Sequence, residues 1–358
     1  MVTRAAKGLK AELRLLATGT PVENSLKDFW CLFDTAVPGL LGSWKNFRGT
    51  YIKPILSTEG NEQFESKRKV GNQLRDKVGT YMLRRVKEDE LEGLPRKITW
   101  KGVNDNSPNI EYEASMMSTM SGAQLSAYNA VIETVNKAEN KQGVVLPSLN
   151  HLRTISIHYD LAMLEHVTDK KVLLKQAYQS QKIQQVFTLL KLIKQRQEKV
   201  IIFSISKQIQ RVLALLLRVE FDVMVDVVNG DTKAVSTKGS ADTRKGIIDR
   251  FQSEPGFGVI VMSPIAAGVG LTITAANNVI HLERHWNPAK EEQATDRVYR
   301  IGQEKDVNVY IPITLHPEVA SFDLQLNMLL SNKTDLSDAI VAPNVVQAED
   351  MQSLFSIV

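Results

Sequence analysis

Arg297 and Arg300 stand three residues apart in the run Gln293-Ala294-Thr295-Asp296-Arg297-Val298-Tyr299-Arg300-Ile301-Gly302-Gln303. On a helix that spacing sends both guanidinium groups off one face, within reach of one anion. The chemistry this suits is recognition of a polyphosphate. Gly302, two residues after the second arginine, predicts the end of the helix and leaves Arg300 near a mobile edge. Taken alone, two arginines at this spacing are more often a solvated face with acidic neighbours. A second candidate lies near the N-terminus, where Arg14-Leu15-Leu16-Ala17-Thr18 leads into Gly19-Thr20-Pro21. A buried strand ending in a Gly-Pro turn delivers polar side chains to the carboxyl edge of a sheet, where ligands bind. Thr18 and Thr20 are therefore either site residues or ordinary turn residues.

Periodicity supplies the framework that carries these residues. From Gln181 onward amphipathic helices alternate with short apolar strands: helix 183–194, strand 199–204, helix 208–219, strand 223–228, helix 244–251 and strand 258–263. A glycine-bearing loop, a strand at 278–282, a helix after Pro288 that carries the arginines, and a last strand at 307–313 complete the series. Such alternation predicts an α/β fold with a doubly wound parallel sheet. The first half reads as helices: one capped by Asn24-Ser25 and stopped at Pro38-Gly39, with Leu26, Phe29, Trp30, Leu32 and Phe33 at the 3.6 period, then 43–56 and 61–87. Trp30, Trp44, Phe47 and Tyr51 recur at helical spacing, which makes them packing residues and not base-stacking platforms. Residues 121–180 read as mainly helical and 318–341 as a terminal helix pair.

Bulk composition narrows the class. The 358 residues, 43% hydrophobic and 23% charged, suffice for two cores. Lys and Arg exceed Asp and Glu by 44 to 40, a net charge of +4, too mild to mark a nucleic-acid binder by itself. The single Cys31 excludes an internal disulfide framework and any multi-cysteine zinc site; its apolar neighbours predict a buried structural thiol. No apolar run approaches the roughly 20 residues that span a bilayer.

Taken in order, the motifs resemble those of the Swi/Snf family of superfamily-two helicase-type ATPases. Leu16-Ala17-Thr18-Gly19-Thr20-Pro21-Val22-Glu23-Asn24 is similar to the family's motif III. Met82-Leu83-Arg84-Arg85 with Leu94-Pro95 resembles its Leu-x-Arg-Arg box, and Leu149 to His158 its Leu-Arg-x-x-x-x-His segment. Val200 to Ser204 looks like motif IV, Asn229-Gly230-Asp231-Thr232 with Arg244 the box after it, and Ser263 to Ala276 motif V. Trp286-Asn287-Pro288 through Gln303 matches the motif VI region nearly residue for residue.

The resemblance implies a RecA-like parallel sheet flanked by helices, the second of two lobes that clamp ATP and track duplex DNA. It divides the chain into a truncated first-lobe remnant with a helical protrusion (1–97), a linker and helical insertion (98–180), the second lobe (181–317), and brace helices with a tail (318–358). It makes Arg297 and Arg300 arginine fingers on the γ-phosphate. Gln293, Gly268 and Gly270 then lie on the nucleotide side, and Thr18, Gly19, Thr20, Ser204, Ser263 and Thr272 contact DNA or couple to it. The family's usual Lys, Gly and Asn in motif V are Ile265, Ala267 and Thr272 here, which weakens the phosphate contacts expected of that loop.

Residues 1–17 contain no Gly-x-x-x-x-Gly-Lys-Ser/Thr loop, and no acidic box precedes motif III. The expectation is a C-terminal portion, inactive alone, whose full-length parent uses ATP and Mg²⁺; no tightly bound cofactor is expected on this chain. Its partners would be double-stranded DNA and the missing N-terminal ATPase lobe, with self-association through the exposed remnant. The remnant strand Arg14 to Thr18 is expected to be disordered, rearranged or paired with another copy. The compartment would be cytoplasmic, at the nucleoid, or nuclear in a eukaryote. A stand-alone, non-catalytic DNA- or protein-binding module is the alternative.

Overall fold

Every second residue of a strand faces the same side, and three strands of this chain are apolar on both sides. In β3 (Lys199–Phe203), Val200 and Ile202 join one core while Ile201 and Phe203 join another. The same split divides Val259 and Val261 from Ile260 and Met262 in β5 (Gly258–Met262), and Ile280 from Val279 in β6 (Asn278–His281). Strands of this kind need helices on both faces, which a parallel sheet supplies through its crossovers.

The computed structural model describes residues 2–18, 26–57, 60–83, 93–100, 116–138, 141–233, 243–267 and 270–339. Two compact units divide it. One comprises Met1–Leu91, Trp286–Ala289 and Leu329–Gln347, the other Glu92–His285, Lys290–Met328 and Ala348–Val358.

The first unit holds helices α1 (Val2–Lys7), α2 (Leu26–Ala36), α3 (Trp44–Phe47), α4 (Lys53–Leu56) and α5 (Gly60–Val78), with one π turn between α3 and α4. Its core gathers Leu26, Phe29, Phe33, Leu41, Phe47, Val70, Leu74 and Val78. The aromatic residues pack tilted to one another, with ring centroids 5.5 Å apart for Trp30 and Trp44 and 5.0 Å for Phe47 and Tyr51, as their helical spacing predicts. Residues 13–18 form no strand, which corrects that expectation. The described residues of this unit offer no neighbouring strand to pair with. The backbone is held instead by the Arg14 guanidinium, which donates to the carbonyls of Thr35 (3.1 Å) and Leu9 (2.8 Å). Leu13 and Leu15 are left exposed.

The second unit is built on a six-stranded sheet that adds β1 (Lys97–Trp100), β4 (Val225–Val228) and β7 (Val307–Tyr310), in the order β1-β7-β6-β3-β5-β4. Every pairing is parallel. Leu94 to Arg96 lead into β1, an edge strand of this sheet. The strand expected at 307–313 is divided, because after Tyr310 the chain leaves the sheet and β8 (Ile313–Leu315) pairs with β2 (Met117–Thr119).

Helices α6 (Gly122–Lys137), α7 (Lys141–Ile155), α8 (Leu161–His166) and α9 (Lys170–Ala177) precede the sheet's central strands. Then α10 (Gln181–Gln195) and α11 (Lys207–Phe221) cover one face. Serine caps start both: the Ser180 and Ser206 hydroxyls accept from the N–H groups of Ile183 and Ile209. The other face carries α12 (Arg244–Ser253), capped by Thr243, and residues after the short α13 (Pro264–Ala267). The motif VI helix is α14 (Pro288–Thr295), and the described residues of the C-terminal segment form one helix, α15 (Phe322–Ala339), not the pair expected over 318–341. Among the described residues no helix is long and apolar enough to cross a membrane.

Candidate functional site

The strand order reverses around β3: the chain visits β4 and β5 on one side, then crosses to β6 on the other. In parallel sheets the crevice beyond the carboxyl ends at such a reversal is where ligands bind. Ser204, Ser263 and Glu283 lie just beyond β3, β5 and β6 there. Ser204 is fully buried, and its hydroxyl donates to Glu283 Oε2 at 2.5 Å. The same oxygen accepts the N–H groups of Ile205 (2.7 Å) and Ser206 (2.9 Å). Arg153 pairs with Oε1 at 3.1 Å. A hydroxyl spent in this way offers no direct contact to an external ligand, so Ser204 acts inward. Ser263 is half-buried, as is Thr274 at the end of the same segment, and Thr272 is exposed. Gly270 is exposed with φ +62°, and an added Cβ would meet nothing within 4 Å. The residue is therefore suited to its backbone conformation, with no crowding that excludes a side chain.

The arginines lie on the face that carries Ile201, Phe203, Ile260 and Val279, where Ala294, Val298 and Tyr299 join the core. Their local structure corrects the expected helix. α14 ends at Thr295, and residues 296–302 form successive turns. At this end the Thr295 hydroxyl donates to the Glu291 carbonyl (3.2 Å) and meets His281 Nε2 at 2.9 Å. The carbonyl of Thr295 then accepts both Val298 N–H and Tyr299 N–H.

The turns are sewn to the segment beyond β5. Ile273 N–H donates to the Arg297 carbonyl at 2.8 Å. The buried Gln303 amide donates to the carbonyls of Ala276 (2.8 Å), Thr274 (3.1 Å) and Val298 (3.3 Å), while its oxygen accepts from Glu304 and Lys305 N–H. The sequence does not reveal this clamp, since three carbonyl partners from two motifs leave no periodic signal. Arg300 is exposed and Arg297 half-buried. Burial, and after it the positive charge of Arg300, pushes the Arg297 guanidinium below its ordinary pKa, with Asp296 opposing. Gln293 is half-buried on α14, and its neighbour Ala294 is fully buried. Thr18 belongs to the other unit. Gly19, Thr20 and Gly268, like Arg84 and Arg85, lie outside the described residues.

Comparison with known proteins decides the family. A SNF2-related domain matches residues 1–161 and a Helicase conserved C-terminal domain matches residues 181–302. The chain belongs to the Snf2 family of helicase-type ATPases. It is 35% identical to the Zorya protein ZorD of Escherichia coli, over 99% of this chain and 31% of that protein. To the putative ATP-dependent helicase/translocase YwqA of Bacillus subtilis it is 30% identical, over 99% of this chain and 36% of that protein. Among solved structures, the Sulfolobus solfataricus SWI2/SNF2 ATPase core in complex with dsDNA aligns with a TM-score of 0.51 and 27% identity, covering 99% of this chain and 66% of that one. The chain thus spans about a third of the length of these curated relatives. The Snf2 assignment agrees with the RecA-like parallel sheet flanked by helices.

Proposed function

We propose that this chain supplies the arginine-bearing half of an ATP-dependent motor that moves along double-stranded DNA. The observation that carries the reading is the pair Arg297 and Arg300 on one sewn-down turn, with the Arg297 charge disfavoured by burial and by its neighbour. Such a group gains from an approaching anion and is suited to charge that develops on a transferring phosphoryl group. These residues fit a polyphosphate; ATP with Mg²⁺ supplies the phosphoryl group in the full-length parent. The reading gives the metal no ligand in this chain, and the phosphate cradle and acidic box belong to a lobe that these residues do not contain.

In this scheme Arg297 and Arg300 act as fingers, and Gln293 orients their segment or meets the nucleotide. Gly268 and Gly270 bring backbone close to phosphate, and Ser263 and Thr272 donate to it. Ser204 couples from within the core, and Thr18, Gly19 and Thr20 link the nucleotide state to DNA. Double-stranded DNA is the proposed track, supported by the archaeal Snf2-family core solved with it and by the translocase description of the Bacillus relative. The proposed compartment is the one that holds the DNA.

The test is DNA-stimulated ATP hydrolysis by the full-length protein. Arg300→Ala should lower turnover by about 10³-fold, the scale of an arginine finger, while nucleotide affinity changes only a few-fold. Unchanged turnover removes Arg300 from the catalytic pair. These 358 residues alone should hydrolyse no ATP; robust turnover abolished by Arg297→Ala would overturn the account of the missing lobe.

A further inference from the structure

Glu283 and Arg284 are consecutive, opposite in charge, and each is committed to a different buried ion pair. Glu283 holds Arg153 of α7 and the turn 204–206 that opens α11. Arg284 holds α14: its Nε and a terminal nitrogen donate to the two oxygens of Glu291, at 3.2 Å and 2.5 Å. Its remaining nitrogen donates to Asn327 of α15 at 2.6 Å, and its carbonyl accepts from Arg153 at 3.0 Å. Glu291 also accepts His285 N–H at 3.2 Å. Both side chains of the Arg284–Glu291 pair are about nine-tenths buried, at 11% and 9% exposure.

Buried pairs of this type are poor stabilisers, because the charges lose their hydration and an apolar pair of similar volume often serves as well. Their use is to fix an orientation. The carbonyl of Glu291 accepts the Thr295 hydroxyl, Thr295 is the last residue of α14, and its carbonyl starts the turns that carry Arg297 and Arg300. We propose that Glu291, oriented by Arg284, is a positioning residue for Arg297, acting through Thr295 and not by touching a ligand. The inference rests on the phosphoryl-transfer reading above for its functional consequence.

Two measurements on Glu291→Gln test it. In this chain, hydrogen exchange of the amides at 297–303 should accelerate about tenfold or more, while those of β3 at 199–203 keep their protection. In the full-length protein, Glu291→Gln and Arg297→Ala should each lower kcat with KM for ATP little changed, and the double variant should fall no further than Arg297→Ala alone. Losses that multiply, or unaltered exchange at 297–303, overturn the proposal. If protection at 199–203 is lost as well, Arg284→Lys, which keeps the charge but not the two-pronged contact, replaces Glu291→Gln in both measurements. A full-length wild type without DNA-stimulated turnover, or a normal Arg297→Ala, overturns the phosphoryl-transfer reading instead. The exchange result then decides the positioning by itself.

Discussion

Single residues set the acid response of the second unit. His281 is wholly buried, stacked on Phe203 at 5.2 Å, and burial lowers its pKa, with Glu291 opposing. A histidine kept neutral in the fold but free to charge in the unfolded chain makes the unfolded state bind more protons. Stability therefore rises with pH and is lost as pH falls below about 6.5, the unfolded value. Burial, the largest single influence, would raise Glu291, but the Arg284 charge and the other groups around the carboxylate, the Arg284 hydrogen bonds and the His285 N–H among them, together hold it down at about 2. Its contribution is present above the ordinary value of 4.5 and disappears as pH falls from there through about 2. Melting temperature should thus drop between about pH 7.5 and 5.5, and His281→Gln should flatten that drop; an identical slope in the variant would show that His281 does not carry it. The proposal for the two arginines arises at this scale because residue type and spacing suggest the chemistry. Glu291 and His281 were not legible there, since their roles depend on partners at Arg284 and Thr295 that only folding brings near.

At the scale of elements, the arginine segment departs from its period. The spacing of Arg297 and Arg300 predicts a helix, and α14 ends before them at Thr295. Gln303 then holds the turns beyond Thr295 in place. Replacing Gln303 by Ala leaves buried carbonyls of Ala276 and Val298 without their donor, at a cost of about 1–3 kcal/mol in urea unfolding. A change within a few tenths would mean that water restores those bonds. Gly302 has φ +95°, so Gly302→Ala should destabilise by roughly 1 kcal/mol or more even though a Cβ meets no atom within 4 Å. Strands β3, β5 and β6 were legible because apolar runs bounded by charge or glycine have few alternatives. The run Arg14 to Thr18 is apolar too but lacks partner strands among the described residues, and it forms no strand.

For the whole second unit, stability is concentrated where elements distant in sequence meet. Lys182 of α10, 2% exposed, pairs with Asp323 of α15, which also accepts Thr314 N–H at 3.0 Å. Lys182→Met leaves that carboxylate buried without its cation and should cost about 3–5 kcal/mol. A loss under about 1 kcal/mol would show that the carboxylate rehydrates. Ile201→Ala, at the centre of the sheet, should cost about 2–5 kcal/mol through lost burial and the cavity left behind.

The alternation of helix and strand, the parallel sheet and the identity of the two arginines were already determined by the sequence, because periodicity and residue chemistry are local properties of the chain. Other features were decided in three dimensions: that Ser204 points into the core, that α14 stops at Thr295, that 307–315 divides between two sheets, and that Glu283 and Arg284 tie four elements together. These depend on which donor finds which acceptor across long stretches of chain, 131 residues from Arg153 to Arg284 and 197 from Met116 to Ile313. No local period encodes such pairings; the burial of polar groups, which must then find partners, selects them.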